Sequence, residues 1–322
     1  MATGEADTEF NEGLALHAAR DWRGAALSFR RAARRDPRDF DPVQNVVASI
    51  AAAVASDAPP LFPLERAALP QGRAPLSIVV CSVDPQRLAA MQRNFRATLG
   101  AREHEFIVIG DARSLSEGYG RGLQGSRYPT VVFSHDDVEL LSPGPFEALD
   151  AALERHDIVG LAGASRVAGP AVMWAGHPHV RGWVAYPRPD AGYSATVFSL
   201  DCGVLPGMQA LDGMLFAARR DAALATGFDA ATFDGFHFYD LDFTYRAHLA
   251  GLRLAVTTGI TALHESRGAF DDSWRRYAER FIAKFPQLAA PKGHHHAYGV
   301  QLASRAQVIR FYEELRGLAA VD

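Results

Sequence analysis

The 322-residue chain has little to tie it together covalently: its two cysteines, Cys81 and Cys202, lie far apart in sequence. A disulfide scaffold needs more, so the expected setting is a reducing one, the cytoplasm. No sign of charge dominates. Lysine plus arginine number 33 against 37 aspartate plus glutamate, a net charge of −4. Non-specific nucleic-acid binding needs a strong basic excess, so no nucleic-acid partner is expected. Long apolar runs are missing too. The stretch "VVASIAAAVA", residues 46–55, falls well short of the roughly 20 apolar residues that span a bilayer. The start, "MATGEADTEF", is polar and acidic and lacks the character of a signal peptide. A soluble protein is expected, with peripheral membrane contact left open.

What the chain does have is apolar content. Hydrophobic residues make up 48%, enough for a sizeable core and for one large domain plus a small one. Residues 1–55 show helical periodicity. Asp21 is placed to cap a second helix and Pro37 to stop it. Gly13, Ala25, Phe29, Ala32 and Pro37 fall at the spacing of a single tetratricopeptide repeat; an ordinary helical hairpin fits equally well. A lone repeat cannot bury its own face, so it is expected to pack on the rest of the chain or on a protein partner. Arg30, Arg34 and Arg38 share one helical face, with Arg31 and Arg35 adjacent. That pattern reads as a solvated face, or in the minority reading as an anionic-membrane or partner contact. The prolines of residues 56–75 exclude a long helix and mark a linker. Residues 76–322 form the main domain.

From Leu76 onward, strand-like and helix-like segments alternate. "LSIVVCSVD" reads as a strand. "PQRLAAMQRNFRATLG" reads as a helix bounded by Pro85 and Gly100. "HEFIVIGD" is a strand ending in Asp111, "PTVVFSHDD" a third, and "DIVGLAGA" a fourth. The alternation predicts a mostly parallel sheet, and such sheets bind ligands beyond the carboxyl ends of their strands. Asp84, Asp111, Asp136 and Asp137 stand at those ends and are expected to converge on one crevice. A carboxylate held in a crevice is costly unless something positive lies beside it. Residues 165–206 mix Gly, Pro, Trp and Tyr without a period. They are either a functional loop bringing Trp174, Trp183 or Tyr186 to a substrate, or β-hairpins on the sheet edge. "DLDFTYRAHLAG" reads as a helix closed by Gly251, and "RLAVTTGITALHES" as a strand ending at His264. Trp274, Tyr277, Phe281 and Phe285 recur at helical spacing and read as core. "KGHHHAYG", Lys292 to Gly299, reads as a surface loop, with closure over a diphosphate as the lesser alternative.

The order of these motifs, from the strand ending in "IGD" through "HDD" and "FDGFHFYDLDFTYRAHLAGLRL" to "LHES", resembles glycosyltransferase family 2. It is similar to the bacterial branch whose third strand ends in His-x-Asp-Val, over Leu76 to Phe285. The resemblance implies an α/β fold of the GT-A type, a mostly parallel sheet flanked by helices, beside a small N-terminal helical hairpin. It implies a nucleotide-diphosphate sugar donor such as a UDP-sugar. It also implies a saccharide or glycoconjugate acceptor, as in cell-surface polysaccharide synthesis, and a divalent cation, Mn²⁺ or Mg²⁺. Such an ion neutralises charge on the departing diphosphate. Asp137 and His264 match the family's metal ligands; a histidine favours Mn²⁺. His135 stands where many relatives have a ribose-binding aspartate, and is expected at a hydroxyl or phosphate. Ser82, Asp84, Asp111 and Asp136 are expected beside the nucleotide, with Arg121 either reaching the diphosphate or lying on the surface.

Asp240 matches the catalytic base, which would make the reaction a single, inverting displacement; a helix N-cap is its ordinary alternative. Asp242, on another helical face, is expected to pair with Arg246. Asp212 matches a position near the reacting sugars. The departures at His135, Gly110 and Gly120 keep open a second class, an inactive scaffold that acts through its helical repeat. A nucleotidyltransferase would carry a glycine-rich basic loop after the first strand, which "CSVDPQRL" lacks.

Overall fold

The computed structural model describes residues 2–37, 39–64, 74–266, 268, 270–293 and 297–321. Arg38, the middle of the linker and His294, His295 and His296 lie outside the described residues, and with them the cationic-loop reading. The N-terminal segment folds into α1 (Ala2–Ala18), α2 (Trp22–Arg35) and α3 (Asp41–Ala55), one helix more than a hairpin. Asp21 caps α2 by accepting the Gly24 N–H at 2.9 Å. Ala25, Phe29 and Ala32 form the buried face of α2.

The chain continues through β1 (Leu76–Cys81), α4 (Pro85–Leu99), β2 (His104–Ile109), α5 (Leu115–Gly125), β3 (Thr130–Ser134), β4 (Val138–Leu140), α6 (Pro145–Leu153), β5 (Ile158–Gly160) and β6 (Ala162–Ala164). It then forms β7 (Val180–Pro187), β8 (Tyr193–Val197), β9 (Val204–Met208), β10 (Ala210–Leu211), β11 (Leu215–Arg219), α7 (Arg220–Thr226) and α8 (Tyr239–Leu249). It closes with β12 (Leu254–Thr257), β13 (Ala262–His264), α9 (Asp272–Lys284), β14 (Tyr298–Leu302) and α10 (Arg305–Ala320).

Among the described residues the main sheet has the order β2-β1-β3-β11-β5-β12-β9. β1 runs parallel to β2 and β3, and β5 parallel to β12. β11 is antiparallel to both its neighbours, β3 and β5. Alternate residues divide between two cores, as strands buried on both faces require. Ile78, Val132 and Ala217 face α4 and α6. Val79, Phe133 and Phe216 face α5 and α8.

A second sheet, β10-β6-β7-β13-β4, adds β8 against β7 and β14 against β8. Two predicted strands divide between the sheets. "DIVGLAGA" gives β5 to the first and β6 to the second, and "RLAVTTGITALHES" gives β12 to the first and β13 to the second. The first crossing depends on Gly182 of β7. Its φ is +110°, and a Cβ there would meet the Leu161 carbonyl oxygen at 2.2 Å. Residues 165–206 take the hairpin alternative, as β7 and β8 with β9 on the edge of the main sheet. Trp183 is core, stacked on Tyr312 with ring centroids 5.7 Å apart. Tyr277 and Phe281 of α9, and Phe285 just after it, are core as well.

The N-terminal helices pack on the rest of the chain. Phe29, Val46 and Ile50 share a core with Trp183, Tyr298, Phe311 and Leu315. Arg31 and Arg35 are paired with Glu9 of α1 at 3.4 and 2.8 Å, and Arg30 donates to the Leu318 and Val321 carbonyls. Arg31 and Arg35 stay exposed at the surface, 48% and 43% at the side chain, while they pair with Glu9, and Arg30 reaches inward to carbonyls. The start of the linker is bound too. Glu314 of α10, 2% exposed, accepts the N–H groups of Leu61 at 3.0 Å and Phe62 at 2.7 Å. No helix among the described residues is long and apolar enough to cross a membrane. Glu314→Ala strands both N–H groups away from water and is expected to cost about 2–3 kcal/mol; urea unfolding measures it.

Candidate active site

β3 ends at Ser134, and the chain turns through His135, Asp136 and Asp137 into β4. β4 pairs antiparallel with β13, with His264 opposite Val138. The ladder continues as Glu265 N–H donates to the Asp137 carbonyl at 3.1 Å. This register places His264 Nε2 3.3 Å from Asp137 Oδ1. His135 Nδ1 lies 3.1 Å from His264 Nε2 and 3.9 Å from Asp137 Oδ1. One ligand atom from each of the three side chains lies within 4.8 Å of the others.

Asp137 is 5% exposed at its side chain. Its Oδ2 accepts the Ser266 N–H at 3.0 Å, whereas Oδ1 is buried without a hydrogen-bond donor. A buried, unpartnered carboxylate oxygen is costly. Two imidazole nitrogens beside it make a donor set for a divalent cation, and the residues present fit such an ion. Burial pushes the Asp137 carboxyl up, but the neighbouring His264 and His135 imidazoles and the Ser266 donor outweigh it and hold the group below the usual carboxylate range. Burial and the neighbouring His264 push His135 down.

His135 faces inward on both sides. Its Nε2 lies 2.6 Å from the Tyr239 hydroxyl. Both ring nitrogens are engaged within the cluster, with His264 and Tyr239.

Tyr239 and Asp240 open α8. The N-cap is Phe238, in the left-handed region at φ +67°, and no side chain caps this helix. The N-cap alternative for Asp240 is therefore not realised. Its Oδ2 instead accepts the Gly213 N–H at 2.8 Å. Gly213 comes close because β11 runs antiparallel: Leu215 stands opposite Ser134, and His135 N–H donates to the Met214 carbonyl at 3.0 Å. A Cβ on Gly213 would stand 2.0 Å from the Tyr239 oxygen and 2.8 Å from Asp240 Cβ. Burial, and then the charge of Asp212, push the Asp240 carboxyl up to about 7. Asp242, 1% exposed, is held by Arg246 at 2.8 Å and Lys284 at 2.5 Å, which ties α8 to α9.

The four strand-end aspartates do not all converge. Asp136 accepts the Ser82 hydroxyl at 2.6 Å. With Asp137 it lines a cleft of about 420 Å³ that also includes Arg87, Asn94, Tyr193 and Arg305. Asp84 instead caps α4, accepting the Gln86 and Arg87 N–H groups at 2.8 and 3.1 Å. Asp111 is 79% exposed at its side chain and paired with Arg121 at 2.7 Å. Arg121 also holds Glu117 at 2.7 Å, which makes it the surface arginine of the two alternatives. The Tyr186 ring centroid lies 6.2 Å from that of His264, while Trp174 donates its indole N–H to Ala290. Sequence reasoning missed Tyr239, Gly213, Ser266 and the part of His135 as third donor. The only signal for His135 was its place beside two aspartates, and Tyr239 gave none.

The family model described as glycosyltransferase-like matches residues 77–285, a span that contains every side chain of this cluster. No curated protein matches the chain. Among solved structures, GalNAc-T7 with UDP, GalNAc and Mn²⁺ is 12% identical, with a TM-score of 0.41 over 70% of this chain and 53% of that one. This chain thus spans about half of GalNAc-T7's length. The mannosyltransferase PcManGT from Pyrobaculum calidifontis, with GDP-Man and Mn²⁺, is 12% identical, with a TM-score of 0.43 over 97% and 81%. A197 from STIV is 13% identical, with a TM-score of 0.35 over 60% and 86%. Because the family match takes in well over half of the sequence and the whole of the cluster, the chain belongs to the glycosyltransferase-like family.

Proposed function

We propose that this glycosyltransferase moves a sugar from a nucleotide-diphosphate donor to a hydroxyl of a saccharide or glycoconjugate acceptor by single displacement, with inversion. One observation carries the reading: the unpartnered Asp137 Oδ1 faced by nitrogens of His264 and His135. These three side chains would hold a divalent cation, and two imidazoles beside one carboxylate favour Mn²⁺ over Mg²⁺. Bound there, the ion would offset the charge that builds on the departing diphosphate. The nucleotide is assigned to the ends of β1 and β3, where Ser82 and Asp136 face each other; Asp84 and Asp111 are left to their helix cap and ion pair.

Asp240 is the acceptor's base in this scheme. At about 7, its carboxyl is matched to taking a proton from a hydroxyl at neutral pH. The Gly213 N–H fixes its orientation. The inactive-scaffold alternative rested partly on His135 replacing an aspartate. His135 supplies a nitrogen donor to the cluster, so the replacement does not empty the site.

In a thermal-shift panel, UDP or GDP should stabilise the chain with Mn²⁺ and not without it, by about 2.7 kcal/mol at a hundredfold excess over Kd. Absence of any nucleotide effect with any divalent ion would remove the donor assignment.

Asp240→Asn should keep nucleotide binding and lose transfer by about 10²–10⁴-fold. Wild-type transfer should rise with pH through about 7, because the base must be ionised; turnover retained in the variant takes Asp240 out of the mechanism. Stability carries the opposite sign. A carboxyl raised in the folded state destabilises progressively as pH climbs from the unfolded value toward about 7. The Asn variant should therefore melt above wild type at alkaline pH, and the two curves should converge in acid.

A further inference from the structure

We infer that Tyr239 is a positioning residue for His135, holding the proton on Nε2 so that Nδ1 turns a lone pair toward Asp137 and His264. This rests on the reading of that cluster as a cation site. A neutral imidazole has one N–H and one lone pair, and the partner of one nitrogen decides what the other can do. His135 Nδ1 faces His264 Nε2 at 3.1 Å and Asp137 Oδ1 at 3.9 Å, whereas Nε2 meets the Tyr239 oxygen at 2.6 Å. Nδ1 can serve as a ligand only when the proton sits on Nε2, donated to that oxygen.

The oxygen is held in place. Tyr239 is 4% exposed, and its ring meets Tyr119 edge-on with centroids 5.3 Å apart. The Tyr119 hydroxyl donates to the carbonyl of Ser134, the residue before His135, at 3.1 Å. Strand end, two tyrosines and imidazole therefore form a closed ring of contacts. Since Tyr239 and Asp240 are consecutive, the turn that orients the ligand also presents the base.

Titration calorimetry of the full-length chain with Mn²⁺ alone tests this. Tyr239→Phe should weaken Mn²⁺ about 10- to 100-fold, while the metal-free chain stays folded and loses only the few degrees of melting temperature that one stranded imidazole N–H costs. Long-range ¹H–¹⁵N spectra of the metal-free wild type should show His135 protonated on Nε2, and the variant should show both tautomers. Wild-type Mn²⁺ affinity in Tyr239→Phe, with Asp137→Asn and His264→Ala both losing the ion, overturns the role of Tyr239 and leaves the cation site standing. Mn²⁺ binding that survives in Asp137→Asn overturns both. An Nδ1–H tautomer in the wild type overturns the role of Tyr239 without any variant.

Discussion

The antiparallel pairing of β4 with β13 puts His264 opposite Val138, and the chemistry of the molecule follows from that register. Side chains alternate along a strand, so a slip of one residue would turn His264 away from Asp137. In the observed register its Nε2 stands 3.3 Å from a carboxylate oxygen that has no hydrogen-bond donor. Such an arrangement is poor for stability and suited to holding a cation. The pairing also explains why β4, only three residues long, is a separate element. It follows the His-Asp-Asp turn at once and fixes the direction in which Asp137 leaves it.

A second constraint is the direction of β11. Being antiparallel to β3, it delivers the residues at its start, not its end, to the carboxyl end of β3. Asp212, Gly213 and Met214 therefore arrive beside His135. Gly213 then receives α8, with the Tyr239 oxygen and the Asp240 carboxylate on either side of a position that holds no side chain. A residue with a Cβ at that point would push both away from the cluster. Burial, and then the charge of Asp212, raise the Asp240 carboxyl to about 7 and so give it the basicity its proposed task needs.

Much of this was legible in the sequence wherever the signal was local. Pro85 and Gly100 mark the ends of α4, and Asp21 marks the start of α2. The apolar spacing of α9 gave its core face. The motif order led to the family, and the resemblance led to the pairing of Asp137 with His264. What the sequence did not show depends on contacts distant along the chain. Strand–helix alternation says nothing of a reversed strand arriving after the β7–β8 hairpin, so β11 was not foreseen. Leu161 lies within an apolar run and Thr258–Thr261 within a strand-like run rich in threonine, and periodicity cannot reveal that the chain changes sheets there. Asp111 and Asp84 stand where a nucleotide-binding acid would, yet an arginine and a helix N-terminus hold them. Tyr239 looked like one aromatic among many in "FHFYD", and only the fold shows that its oxygen meets an imidazole.

The account stands on a cation held jointly by the third strand's end and by β13. Anomalous diffraction at the manganese edge, from crystals grown with Mn²⁺, is the most direct measurement. The account predicts one peak about 2.0–2.3 Å from Asp137 Oδ1, His135 Nδ1 and His264 Nε2 together. A peak elsewhere, or one reached by Asp137 without either histidine, would contradict it.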